Sequence, residues 1–530
     1  MLNRFRFALM AAVAPLALTI PAAQAATPTQ TLVMAMDFAD LITFDPGESY
    51  EISGQEFGAN IYDRLVRYEA EDLDKLVGGV AESWSIASDN KTYTFKLRPN
   101  LKFANGDPVT ADDLAWSMQR VVLLDKTPAF LFTQLGWNKE NVKSLITAPD
   151  PHTLTFKIVE DTAPSLVLNL MSTYAASAVD KKVAMSHEKD GDLGNAWLKT
   201  NSAASGAYNL ISWKADEAVT LEANPGYRLA SQHIKRVVIR HVPEPATQSL
   251  LLGKGDIDIA RGLSPDQLAS LGENKDIRIE SFPGGDNYYL GLNTSEEHLK
   301  NPKVRQAMKM LVDYDGMVKT FLKDRFFVQQ TFLPIGFLGA IPYNPWKFDV
   351  AKAKALLAEA GYANGFELEL ITPNASPWTD IAQSVQQTMG QGGIKLKLVQ
   401  VEQKQMLQAM RARKFQMVQN SWAPDYKDPH SNADTFAHND DDSDTPKIKP
   451  LAWRTHWLQP ELTKETMAAS REPDTAKRVK EYEDLQKKVT DDGPFILMFQ
   501  DKYQVAMRSN VKGFKLGIFA DFNYYRTVSK

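Results

Sequence analysis

Apolar positions recur with two different periods along this chain, and the shifts between them mark its organisation. Residues 31–36 are an apolar run that reads as a strand. Ser53 and Glu56 stand at capping-box spacing, with Phe57, Ile61 and Leu65 at i, i+4 and i+8 behind them, so a helix is predicted to start there and end near Tyr68. The period then falls to two. Residues 84–97 and 144–158 each predict a hairpin, turning at Ser88-Asp89-Asn90 and at Asp150-Pro151. Their second strands, Thr-Tyr-Thr-Phe-Lys-Leu and Thr-Leu-Thr-Phe-Lys-Ile, are alike, which places both hairpins in one small sheet. Between them residues 110–113, Thr-Ala-Asp-Asp, open a helix running to about 122.

Strands follow at 208–213, 219–222, 237–241 and 256–259, and Ser264-Pro265 supplies an N-cap and a first helical proline. From residue 288 the helical period dominates. Asn301-Pro302 opens one helix; Asp349 caps another, 350–360, which stops at Gly361. The order is then strand 366–371, helix 378–389, strand 394–401, helix 403–411, strand 415–420. That βαβαβ alternation predicts a parallel sheet with helices on both faces. Helices at 461–470 and 476–489, strands at 495–500 and 504–508, and an aromatic tail at 514–525 complete the chain.

Directly after the third strand of that run lies Ser-Trp-Ala-Pro-Asp-Tyr-Lys-Asp-Pro, residues 421–429. Its prolines deny the backbone ladder hydrogen bonds, so the segment must leave the sheet as a defined loop. Ligands of open α/β sheets bind outside the carboxyl ends of the strands. A rigid aromatic loop with two carboxylates there suits a cationic ligand. The alternative is a structural turn in which Asp425 and Asp428 cap backbone N–H groups and Trp422 fills core.

Composition narrows the classes. The chain has 530 residues, enough for two or three domains, with 44% hydrophobic and 24% charged residues, as in soluble globular proteins. A net charge of −5 without a basic cluster argues against nucleic acid. Arg4 and Arg6, the apolar run 7–20 and Ala23-Gln24-Ala25 read as a cleaved signal peptide, residues 1–25; its loss would remove two positive charges and take −5 to −7. The absence of cysteine excludes disulfides, thiolate metal sites and a lipidated cysteine anchor, and fits a Gram-negative periplasm. No Gly-x-Ser-x-Gly elbow, phosphate loop or His-Glu-x-x-His helix is present, so an enzyme is not expected, nor a cofactor. His430, His438 and His456 follow the loop without ligand-pair spacing, and Asp440-Asp-Asp-Ser-Asp444 reads as a solvated acidic loop.

An ordered set of short segments resembles the large periplasmic solute-binding proteins of ABC importers, the family of dipeptide, oligopeptide, nickel and opine receptors. It includes Tyr62-Asp-Arg-Leu-Val66, Ala81-Glu-Ser-Trp84, Phe103-Ala-Asn-Gly106 with Val109-Thr-Ala-Asp-Asp113, Asn224-Pro-Gly-Tyr227 and Gly255-Asp-Ile-Asp258. The resemblance implies an α/β protein of two lobes. Lobe I would comprise 26–72, 195–282 and 501–530, with a small α+β domain inserted at 73–194; lobe II would be 283–500; two crossing strands near Pro283 and Gln500 would form the hinge. In peptide-binding members the Asp of a Trp-x-x-Asp motif holds the ligand's α-ammonium, and Asp425 matches it beside Trp422 and Ala423. Tyr208 matches the tyrosine of a Gly-Thr-Gly-Pro-Tyr motif whose proline is Ala207 here, and completes the expected ligand-binding set. The implied function is capture of a di- or oligopeptide, by a monomer without metal or cofactor, for delivery to a membrane permease and its ATPases; an opine-like conjugate or a metal chelate is the alternative.

Overall fold

The computed structural model describes residues 27–69, 72–229, 233–446 and 449–530; the expected signal peptide, 1–25, lies outside the described residues. Two long strands, Ile277–Leu292 and Phe495–Arg508, run antiparallel through the middle of one large sheet. On one side of them lie Met417–Trp422, Phe366–Pro373 and Ile394–Val401 in turn. On the other side come Ile259–Ala260, Thr31–Met36, Arg236–His241, Ala218–Ala223 and Tyr208–Lys214.

Strand Phe495–Arg508 explains how one sheet serves two lobes. Phe495 and Leu497 enter one core while Ile496 and Met498 enter another, on the opposite face. Farther along, Val505 and Met507 join a third core and Ala506 a fourth. Sequence alone splits this strand in two at its polar middle, yet it is continuous. Asp501 and Lys502 are polar because they face the cleft between the lobes, not because the chain turns there.

The βαβαβ expectation holds: Phe366–Pro373 lies between Ile394–Val401 and Met417–Trp422 and is parallel to both. Its neighbours Leu370 and Ile371 point into different cores. Helix Trp378–Gln391 covers the first with Ile381, Val385 and Met389, and helix Gln403–Arg411 covers the second with Met406 and Met410. The two hairpins form one four-stranded sheet in the order Ala81–Ile86, Thr92–Leu97, Thr153–Lys157, Ile146–Asp150. Helix Ala111–Leu124 packs on it, opened by the Thr110–Asp113 capping box. Their shared core is built around Phe156, which stacks on Tyr93 at 5.0 Å, and it reaches out to Leu65, Val66 and Tyr426.

Two local expectations fail because tertiary partners outbid local ones. Helix Ile52–Ile61 ends well before Tyr68, and Ser53 does not cap it. Glu56 is wholly buried and instead accepts from Arg261, from Asn523 at 2.8 Å and from Tyr525 at 2.7 Å. Of the strand expected at 256–259, only Ile259–Ala260 forms. Asp258 instead accepts the Val33 N–H at 2.8 Å and holds the Lys530 ammonium at 3.0 Å, which ties the last residue of the chain to its first strand.

Candidate functional site

The parallel run aims its third strand at the cleft. Met417–Trp422 pairs with Ile277–Leu292 up to the rung Asn287–Trp422, and the chain then leaves the sheet at Ala423-Pro424. Six residues later helix Pro429–Ala437 begins, with Asp428 as its N-cap accepting the His430 N–H at 2.9 Å and Pro429 in its first turn. The loop is therefore fixed at both ends.

Its far end is a buried ion pair. Arg478 grips Asp428 with two nitrogens, at 2.8 and 2.6 Å, and Asn169 of the hairpin domain adds a third bond at 3.0 Å. Both charged side chains are fully buried. Burial alone would raise the Asp428 carboxyl, but the guanidinium overrides it and holds the group below its ordinary range. The turn role expected of Asp428 holds; the ion pair carries no local sequence signal.

The near end is different. Asp425 is partly buried, its N–H donating to Ser431 Oγ at 2.8 Å and its carboxylate accepting the Tyr50 hydroxyl at 2.8 Å. Among the described residues it has no cationic partner. Burial pushes its carboxyl up, the Tyr50 bond opposes this, and the negative charge of Asp434 adds to the rise. A desolvated carboxylate with one hydroxyl donor is short of a cation.

Asp425 lines the interlobe cleft, a cavity of about 490 Å³, which is within the range of small-molecule sites. Ala423 is exposed and lines the same cavity. Trp422 is partly buried and turns its face to a second cavity on the other side of Asp425. Tyr208 is not brought to the site. It is wholly buried in lobe I, its hydroxyl donating to the carbonyls of Ile234 at 3.1 Å and Tyr525 at 3.3 Å, so its place is in the scaffold.

The structure adds residues that the sequence pattern did not mark. Arg325 and Lys502 bring positive charge to the cleft. Arg261 also lines it, but its charge is already matched by Glu56. On the crossing strands, the Asp501 carboxylate accepts the Asp286 N–H at 3.1 Å, at the point where the ladder slips between Pro283 and Asn287. A side chain at Gly284 would crowd the Asp501 carboxylate, which a Cβ would meet at 1.9 Å. Burial pushes Asp286 up to about 6; burial and then the charge of Asp286 push Asp501 up as well. The Pro283-Gly284-Gly285 run inside the strand was the available signal for this irregularity.

His430 and His438 line one cavity with Asp434 between them, and His456 stands apart. His430 is buried and held below its usual range by desolvation. His438 bonds Asp434 at 2.6 Å, and His456 bonds Asp442 at 2.9 Å. Among the described residues no group of three His, Asp or Glu is placed to hold a metal ion.

Comparison with known proteins places this geometry. The probable D,D-dipeptide-binding periplasmic protein DdpA of Escherichia coli (strain K12) is 32% identical over 518 residues, 96% of each chain. HbpA2 from Haemophilus parasuis has a similar fold, with TM-score 0.78 and 24% identity over 94% of this chain and 99% of that one. The unliganded open form of the periplasmic murein tripeptide binding protein MppA gives TM-score 0.77 and 24% identity over 95% and 98%. Both solved structures share the two-lobed architecture. The family model for the middle part of bacterial extracellular solute-binding proteins, family 5, matches residues 75–444, which is more than half of the chain. The chain belongs to the family 5 extracellular solute-binding proteins of ABC importers.

Proposed function

We propose that this protein captures a short peptide in the interlobe cleft, with the ligand's ammonium on Asp425, and delivers it to a membrane ABC permease. The observation that carries this reading is the state of Asp425: drawn out of water, bonded by Tyr50, and without a cation of its own. An ammonium completes it, because two charges desolvated together must pair well or cost several kcal/mol. Arg325 and Lys502 are the natural partners for the opposite end of a zwitterion. The D,D-dipeptide named for the 32% identical relative supports a peptide of that length.

Closure would follow from the two crossing strands, whose ladder is interrupted where they pass between lobe II, 283–500, and lobe I, 26–72 with 195–282 and 501–530. The protein acts as a monomer in the periplasm after loss of residues 1–25. Calorimetry with D-alanyl-D-alanine and L-alanyl-L-alanine tests the reading. Asp425→Asn should weaken binding by about 2–5 kcal/mol, the cost of leaving a buried partner charge unmatched. Unchanged affinity would reject the anchor.

A further inference from the structure

We propose that the cavity on the far side of Asp425 is a second ligand subsite, and that it selects compounds bearing an anionic group close to the ammonium, such as peptides whose first residue is acidic. The proposal rests on Asp425 as the ammonium anchor. The cavity has a volume of about 640 Å³. Thr133 and Leu166 of the hairpin domain form one wall, and Trp422, His430 and Arg454 of lobe II form the other. Asp425 lines both this cavity and the cleft. A ligand whose ammonium rests on Asp425 thus has two spaces open to it, one for its main chain and one for its first side chain.

Charge decides what the second space accepts. Arg454 is partly buried, and its Nε donates to the Lys449 carbonyl at 3.0 Å. Its two terminal nitrogens meet no acceptor among the described residues, and it has no carboxylate partner there. The arginines most deeply buried in this protein are not left so: Arg64 meets Asp521 at 2.7 Å, Arg120 meets Asp45 at 2.6 Å and Arg478 meets Asp428. A partly buried guanidinium without a counter-ion leaves its two terminal nitrogens free to form parallel charge-assisted bonds with an arriving carboxylate.

The acids around the cavity do not fill that role. Asp434 is engaged by His438, Asp161 pairs with Lys91 at 2.7 Å, Asp425 is bonded by Tyr50, and the fourth, Glu160, is exposed and makes no ion pair with Arg454. Lys449 and Arg471 add positive charge to the same walls. Trp422 and His430, both in the lining, each carry a buried polar atom without a partner behind the cavity wall, Nε1 and Nδ1. Buried polar atoms without partners mark a place where a polar ligand group belongs.

Calorimetry on the mature full-length protein with Glu-Ala, Gln-Ala and Ala-Ala tests this, using the wild type, Arg454→Met, Arg454→Lys and Asp425→Asn. The wild type should bind Glu-Ala about tenfold more tightly than Gln-Ala, the scale of one charge-assisted pair. Arg454→Met should abolish that ratio while binding Ala-Ala as the wild type does, and Arg454→Lys should restore part of it. Asp425→Asn should weaken all three ligands and keep the ratio. Equal wild-type affinity for Glu-Ala and Gln-Ala, with Ala-Ala bound, overturns the acidic subsite and leaves the anchor standing. Undiminished binding of all three by Asp425→Asn overturns the anchor instead. Failure of the wild type to bind any of the three overturns both.

Discussion

Asp425 and Asp428 stand three residues apart on one rigid loop, and their surroundings are opposite. Asp428 is sealed between lobe II and the hairpin domain, with Arg478, Asn169 and a helix N-terminus meeting its charge from every side. Asp425 lines the cleft and neighbouring cavities and receives one hydroxyl. Both lose water, but only one is repaid by the fold itself. The lesson extends to the arginines: Arg478 is closed by a carboxylate, whereas Arg454 lines a cavity and has no carboxylate partner among the described residues. Charges that the fold completes hold the fold, and charges it leaves incomplete mark where a ligand completes them.

Breaking the closed side should have the largest effect. Asp428→Asn leaves the Arg478 guanidinium buried without its counter-ion and should cost about 3–5 kcal/mol of stability, read from urea denaturation. Ligand affinity of the protein that remains folded should change little. Asp425→Asn should do the reverse: ligand-free stability is kept, and affinity falls by the about 2–5 kcal/mol already given. A variant at 425 that unfolds, or a variant at 428 that stays stable and loses only ligand, would invert the comparison.

A second carboxylate pair tests the same rule by pH. Asp286 and Asp501 are raised in the folded protein, Asp286 from 3.8 to about 6. Within that window the folded protein binds protons that the unfolded chain has released, so this pair's contribution to stability falls as pH rises through it. Asp501→Asn removes the repulsion. Its stability relative to the wild type should therefore grow by ~1 kcal/mol or more as pH rises above the ordinary carboxylate range. A stability difference independent of pH would reject the coupling. The smallest effect is expected from Tyr50→Phe, which deletes one hydroxyl bond to Asp425 and should weaken ligand binding by about 1 kcal/mol at neutral pH.

Much of the scaffold was legible because its signals are local. The capping box at Thr110, the Asn301-Pro302 start, the Gly361 stop and the βαβαβ alternation all act within a few residues of where they are read. The pairing of Ser53 with Glu56 misled because Glu56 had a stronger partner, Arg261, more than 200 residues away. For the same reason the site was legible only in part. Trp422, Ala423 and Asp425 lie in one stretch that local pattern and family resemblance both single out. Tyr50, Arg325 and Arg454 reach the same region from separate elements, and single residues carry no periodicity. Tyr208 was misplaced because a motif was carried over without its surroundings, and those surroundings are core.

The central claim is that Asp425 and a ligand ammonium complete each other, and a double-mutant cycle tests it most directly. Calorimetry would compare D-alanyl-D-alanine with its N-acetylated form, in the wild type and in Asp425→Asn. The account predicts a coupling of about 2 kcal/mol or more between the ammonium and the carboxylate, because removing either should make removal of the other nearly free. Additive losses, with a coupling near zero, would contradict it.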